Sequence, residues 1–165
     1  TGFGGGKILQ VISTAKTDTF SESVAGGSSS SVTRSSIVTG LTATITPSAT
    51  SSKVFVQYSI STGENVSYMI LTRGGSDLAA ATGNASGNIS RITTGSVNGN
   101  DSYVENISGQ FLDSPSSTSA LTYGIKLGHG SSSSKTLTLN FDSTGYDDAK
   151  RGRAISTITL MEVAA

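Results

Sequence analysis

The chain has 165 residues, a net charge of zero and no cysteine. Its hydrophobic fraction is 35%, its charged fraction is only 13%, and Ser, Thr and Gly together supply 73 positions. This length accommodates one domain with a core and is too short for two full domains. The absence of cysteine excludes disulfide frameworks, zinc fingers and thiolate metal sites.

The balanced charge excludes further classes. Nucleic-acid and anionic-membrane partners are bound through an excess of Lys and Arg, and this chain has none. Chains that are disordered because of low hydrophobicity normally carry a high net charge, so disorder is not indicated. No apolar run approaches the roughly 18 residues of a membrane span. We therefore expect a folded domain that neither binds nucleic acid nor inserts into a membrane.

Alternation of apolar and polar residues with a period of two is the dominant pattern along the chain. This period is typical of strands with one face in a core, and no segment shows the 3.6-residue period of a helix. Strands are predicted at about 7–13, 37–46, 54–61, 68–73, 88–94, 103–112, 119–127, 136–141 and 155–163. The Ser- and Gly-rich segments between them have hairpin length and turn chemistry. The pattern predicts an all-β, antiparallel β-sandwich of about eight to ten strands.

The domain organisation follows from where this pattern begins. Residues 1–6 are rich in glycine and are interpreted as a lead-in from an upstream stalk or anchor. Residues 7–165 show no internal boundary and no repeat of the length found in propellers or solenoids. They are predicted to form a single sandwich domain.

Two of the predicted strands, the first and the last, carry apolar residues on both faces. Such a strand needs cover on both faces. A jelly roll commonly places the first and last strands side by side, so they would form an apolar patch on the outside of the sandwich. We therefore expect an obligate oligomer. The residues expected at the subunit contact are Ile8, Leu9, Val11, Ile158, Leu160 and Met161.

The chain offers no convincing catalytic or metal-binding constellation. His129, the single histidine, lies between two glycines, and no G-x-S-x-G nucleophile motif occurs. Asp147 and Asp148 are neighbours in one loop, which does not place two carboxyl groups across a sugar, and the spacing of a calcium loop is absent. We predict no catalytic residue, no metal, no cofactor and no enzymatic activity.

Polar loops that contain aromatic residues are the remaining candidates for binding. Aromatic faces stack on sugars, and the surrounding hydroxyl and amide groups hydrogen-bond to them. Tyr103, His129 and Tyr146 lie in such loops and are the candidate receptor-binding residues. The same loops are equally suited to a purely solvated role, which for His129 is the expected one.

Five short segments, spread over nearly the whole chain, carry a resemblance to known proteins. They are residues 6–11, 47–54, 71–74, 111–115 and 156–163, which read GKILQV, PSATSSKV, LTRG, FLDSP and STITLMEV. Together they resemble C-terminal domains of tailed-bacteriophage virion proteins, many of them tail fibre or structural proteins. The resemblance implies a jelly-roll sandwich that trimerises on the virion surface. The resemblance identifies no functional residue in this sequence.

The resemblance and the apolar strands lead to one expected function and one alternative. The expected function is a trimeric fibre-tip domain whose loops contact the host surface, with a glycan as the ligand. Its partners would be copies of itself and other virion proteins. The alternative is a capsid decoration or head-fibre protein with a purely structural role.

Overall fold

The computed structural model describes residues 6–27, 32–63, 65–66, 68–95, 103–142 and 151–164. Their regular structure consists of eleven strands and one short 3-10 turn, Ala79–Ala81, and no helix among them is long and apolar enough to cross a membrane. The strands are β1 (Ile8–Lys16), β2 (Phe20–Val24), β3 (Thr33–Ile45), β4 (Lys53–Thr62), β5 (Tyr68–Arg73), β6 (Ser76–Asp77), β7 (Thr94–Gly95), β8 (Glu105–Asp113), β9 (Leu121–His129), β10 (Lys135–Leu139) and β11 (Ser156–Val163). The prediction of an all-β chain is confirmed.

The strands form two antiparallel sheets packed face to face. In the first sheet β11 lies between β1 and β4, and β8 pairs with the other edge of β4. The short strands β10 and β2 extend this sheet beyond the end of β11. In the second sheet β9 lies between β3 and β5, and β5 also pairs with β6 and β7. Because the chain crosses repeatedly between the sheets, the sandwich is jelly-roll-like, and its first and last strands are neighbours as predicted.

The core lies between the two sheets and is built from the inward-facing residue of each alternating pair. The largest fully buried side chains of this core are Tyr123, Leu41, Ile45, Ile60, Met69, Leu71, Ile125, Leu127, Leu137, Leu139 and Ile158. At about 0.8 kcal/mol per buried CH₂ group, such side chains account for most of the favourable free energy of folding. The scarce apolar residues are therefore concentrated where burial stabilises the fold.

The alternation of β3 differs from the prediction. A strict period of two places Ile37 on the same face as Leu41 and opposite Val38, yet Val38 and Leu41 are both buried and Ile37 is only partly buried. The pairing of β3 with β9 shifts register between Ile37 and Thr42, and Gly40 has a φ of 79°. A glycine with positive φ lets the strand bulge, and a bulge changes which residues face inward.

The prediction of a strand at 88–94 is wrong, since only Thr94 of this segment belongs to a strand, β7. Strand β2 was not predicted. Most of 88–94 is a loop in which Ile89 is exposed, and Arg91 fastens this loop by donating hydrogen bonds of 2.8 and 2.9 Å to the carbonyls of Gly83 and Ala79. The same loop lies against the second sheet, where Arg34 donates to the carbonyl of Arg91. The chain itself thus covers part of the second sheet's outer face.

Asn140 closes the junction where β10, β11 and β4 meet. Its side-chain amide donates hydrogen bonds of 2.8 Å to the carbonyls of Lys16 and Asp18, and its side-chain oxygen accepts one of 2.7 Å from Ser156. Its backbone N–H also donates to the carbonyl of Ser61. Asn140 has a φ of 66°, a conformation that asparagine tolerates better than most residues.

Candidate interaction surface

The outer face of the first sheet is the side that faces away from the core, and it carries most of the predicted contact residues. In the pairing of β1 with β11, Val11 lies directly opposite Met161, and both side chains point outward. Val11 is 54% exposed, and Ile8 and Leu9 are also exposed. These residues form the predicted external apolar patch.

Two of the predicted contact residues, Ile158 and Leu160, lie elsewhere. Both are fully buried and belong to the hydrophobic core between the sheets. They alternate along β11 with Met161, which is only partly buried, and successive side chains of a strand point to opposite faces. The expectation that Ile158 and Leu160 contact another subunit is therefore wrong.

An irregularity at Leu9 turns Ile8 outward. Ile8 pairs with Val163 and Gln10 pairs with Glu162, so Leu9 is an extra residue on the β1 side of the ladder. Without this bulge Ile8 would share the inward face with Ile12, which packs against the core. The bulge moves Ile8 to the exposed face and enlarges the apolar patch.

An apolar row crosses all four long strands of this face. The cross-strand register aligns Val11 of β1 with Met161 of β11, Met161 with Phe55 of β4, and Phe55 with Leu112 of β8. Phe55 and Met161 are partly buried, and Leu112 is 45% exposed. Val11, Met161, Phe55 and Leu112 are called the apolar row below. Phe55 and Leu112 had not been assigned to it, because the alternation within each strand does not reveal which residues align across strands.

On one side of the apolar row lie two successive rows that are uncharged and, except for Ala15, polar. Ser13, Thr159, Gln57 and Gln110 form the first, and Ala15, Thr157, Ser59 and Ser108 form the second. The Ser13 and Thr159 hydroxyls lie 2.9 Å apart, within hydrogen-bond distance. Four strands about 4.8 Å apart, with three rows about 6.8 Å apart, make the whole face roughly 400 Å². On the other side of the apolar row, Lys53 pairs with Val163 and is the one charged residue that points outward from these four strands.

A buried carboxylate lies directly behind this patch. Glu162 is almost fully buried and accepts hydrogen bonds from the Gln10 side chain at 2.6 Å, the Ser48 hydroxyl at 2.6 Å and the Ser48 backbone N–H at 2.7 Å. These donors, the Gln10 amide first, lower the pKa of Glu162 to about 2. The charge is thus satisfied inside the fold and is not directed at a ligand.

A second buried carboxylate, Asp113, closes the same end of the core. Asp113 is 3% exposed, and its Oδ2 accepts hydrogen bonds from Arg73 Nη1 at 2.5 Å and from the Tyr123 hydroxyl at 2.6 Å. Burial, and next the negative charge of Asp113 as acceptor, raise the pKa of Tyr123. Since Asp113 lies in the first sheet and Arg73 and Tyr123 in the second, this cluster joins the two sheets.

The three candidate receptor-binding residues do not form one described site. Tyr103 is 64% exposed and lies just before β8. His129 is 2% exposed at the end of β9, where its Nδ1 accepts a hydrogen bond of 3.1 Å from the Ser131 N–H. The expectation that His129 is a solvated loop residue is wrong, because β9 extends to include it. Tyr146 lies outside the described residues, as do residues 1–5 of the predicted lead-in.

The comparisons with known proteins add no family. No protein-family model matches this sequence, and no curated protein matches it either. Within the described part of the chain, no three His, Asp or Glu side chains are grouped so that they could hold a metal ion.

The structure brings together residues of the five segments 6–11, 47–54, 71–74, 111–115 and 156–163 in two clusters. Gln10, Ser48 and Glu162 come from three of them and meet in one cluster, and Arg73 and Asp113 come from the other two and form an ion pair. These residues of the five segments therefore form contacts that hold the fold together.

Proposed function

We propose that the chain is a trimeric structural module on the outside of a bacteriophage virion, a fibre-tip domain that binds a glycan of the host surface. The observation that carries the proposal is the apolar row on the open face of the first sheet. Exposed apolar patches that are rimmed by polar residues are typical of contacts with other proteins.

The properties of this face favour a second copy of the chain as the partner. The face is uncharged across its apolar and polar rows, so two copies meet without like-charge repulsion and a charged partner gains no attraction. Roughly 400 Å² from each of three copies gives about 1,200 Å² buried in the trimer, which is at the lower end for specific contacts. An apolar row beside a surface rich in hydroxyl and amide groups has the mixture of apolar and polar area found in such contacts.

The virion assignment rests on the resemblance of five segments to phage virion proteins and on the agreement of the jelly-roll-like sandwich with the fold that the resemblance implies. The neutral surface, rich in Ser and Thr, suits an external particle protein that must stay soluble without charge. The copies would associate through the outer face of the first sheet and join other virion proteins.

Light scattering coupled to size-exclusion chromatography tests the assembly. We expect the purified chain to run as a trimer and Val11→Asp to run as a folded monomer, because a carboxylate in the apolar row would be buried without a partner. Thr39→Asp, an exposed position in the second sheet, is the matched control and should remain trimeric. A monomeric wild-type chain, or a Val11→Asp variant that still assembles, would contradict the proposed interface.

Competition with phage adsorption tests the host-binding role. Soluble trimer should bind host cells and reduce adsorption, and the Val11→Asp monomer should do so less well because multivalent attachment is lost. If the trimer assembles but neither binds cells nor competes, the capsid-decoration alternative replaces the fibre-tip proposal.

A further inference from the structure

A cavity of about 360 Å³ opens at the end of the sandwich where β5, β6 and the end of β8 meet. Its volume lies at the lower end of the range found for small-molecule sites. Its polar wall consists of Arg73, Ser76, Asp77, Asp113 and Ser114, and Leu78 with the two alanines that follow it forms an apolar wall. The fold thus presents hydrogen-bonding groups and aliphatic groups to one small space.

The hydrogen bonds of Asp113 leave one of its oxygens available. Both donors, Arg73 and Tyr123, are bound to Oδ2, and no other described residue donates to Oδ1. Asp113 lines the cavity although its side chain is almost fully buried. A hydroxyl group entering the cavity would therefore find a fixed carboxylate oxygen as acceptor and the Arg73 guanidinium beside it as donor.

The charges around the cavity argue against an anion and against a metal ion. Two carboxylates and one guanidinium line it, and the guanidinium, that of Arg73, is already held by Asp113, so the wall offers no free cation to bind a phosphate or carboxylate. The carboxylates already have cationic partners: Asp113 pairs with Arg73, and Asp77 pairs with Arg34 at 3.0 Å and Lys126 at 2.9 Å. An uncharged ligand with several hydroxyl groups fits this arrangement best.

We propose that this cavity binds a neutral sugar. Of two neighbouring hydroxyl groups on the sugar, one donates a hydrogen bond to Asp113 and the other accepts one from Arg73. Ser76 and Ser114 bind further hydroxyl groups. The C–H face of the sugar ring contacts Leu78 and the two alanines that follow it. This inference rests on the proposed function, since it places the glycan-binding site of that role. It also keeps the site apart from the assembly face, because Leu112 points outward and Asp113 inward.

Saturation-transfer NMR with glucose, galactose, mannose and rhamnose, each tested singly at millimolar concentration, measures the predicted binding. Ser114→Trp would fill the cavity from an exposed position without removing a partner of Asp113. Ser119→Trp, exposed in the same loop and outside the cavity, is the matched control. We expect at least one of these hexoses to bind, Ser114→Trp to weaken it at least tenfold, and Ser119→Trp to leave it unchanged.

Three results would overturn the inference: no signal from any of the four sugars, an unchanged affinity in Ser114→Trp, or displacement of the bound sugar by inorganic phosphate. If Ser114→Trp fails to fold, the test is a sugar titration of the wild-type chain. The NMR chemical shifts of the backbone amides of Gly74, Gly75 and Ser76 must then change, because these residues lie at the cavity. Assembly and adsorption are measured separately. A trimer that competes with phage adsorption but binds none of these sugars would overturn the assignment of the cavity as a sugar site and leave the proposed function in place.

Discussion

Gln10 in the first strand donates a hydrogen bond of 2.6 Å to Glu162 in the last, and this contact lies directly behind the exposed apolar patch. Ser48, in the turn between β3 and β4, donates to the other oxygen of the same carboxylate. The cluster therefore fixes three separate parts of the chain at the end of the sandwich that carries the assembly face.

Replacing Glu162 with Gln is expected to lower the free energy of unfolding by about 1.5–3 kcal/mol. The amide loses the charge-assisted hydrogen bonds from Gln10 and Ser48 and brings an additional donor into a site built from donors. Urea denaturation measures the change. Asp18→Asn, at an exposed carboxylate that pairs with Lys16, is the control and should have a smaller effect. Equal effects of the two substitutions would show that the buried cluster is not a special source of stability.

Stability should also fall with acid in a way that depends on Glu162. The pKa of this residue is about 2 in the folded chain and lies below its ordinary value of 4.5, so the unfolded chain takes up the proton first as the pH falls. The contribution of Glu162 is present in full above pH 4.5 and is lost between that pH and pH 2. Thermal unfolding from pH 7 to pH 2 should show the gap between wild type and Glu162→Gln closing over this window. A gap that stays constant would contradict the lowered pKa.

Leu160 and Leu112 should respond differently to truncation because one lies in the core and the other in the apolar row. Leu160→Ala removes a fully buried side chain and should cost about 2–5 kcal/mol. Leu112→Ala should cost under about 1 kcal/mol in a monomer. Urea denaturation of both changes in the Val11→Asp background separates folding from assembly. A large loss for Leu112→Ala in that background would mean that this residue supports the monomer.

Gly109→Ala is expected to destabilise the fold by about 1–3 kcal/mol. A Cβ atom at this position would lie 2.5 Å from the hydroxyl oxygen of Tyr58, whose buried ring packs over the glycine from the neighbouring strand. Gly83→Ala is the matched control, because no atom lies within 4 Å of the added methyl group and no positive φ is involved. Differential scanning calorimetry should show a lower melting temperature for Gly109→Ala alone; similar values for the two variants would indicate that Tyr58 moves aside freely.

The sequence was sufficient to predict the fold class and the pairing of the first and last strands. In β4 and β9 a period of two is uninterrupted, so the inward residues could be assigned directly, as for Val56 and Ile125. The positions of the strand bulges could not be predicted in this way. At Gly40 and at Leu9 one irregular residue changes the face of its neighbours, and only the register with the partner strand shows it.

The candidate interaction surface was harder to predict than the fold, because it depends on the register between strands. The sequence predicted Val11 and Met161 as contact residues, together with Leu160 and others, but the row that these two form with Phe55 and Leu112 exists only because four strands are aligned. For the two-sided strand β11, the sequence did not reveal which apolar set, that of Leu160 or that of Met161, faced the core. The cavity at Arg73 and Asp113 joins segments forty residues apart and left no local signal.

The central position of β11 also sets the order in which the protein can fold. This strand is inserted between β1 and β4, and it follows β1 by well over a hundred residues of sequence. Until β11 has been synthesised, β1 and β4 expose unpaired backbone edges, and the first sheet lacks its middle. Folds dominated by such distant pairings are slow to form because loop-closure entropy must be overcome first. We expect this sandwich to form after β11 leaves the ribosome and to be most prone to edge-to-edge aggregation during that interval.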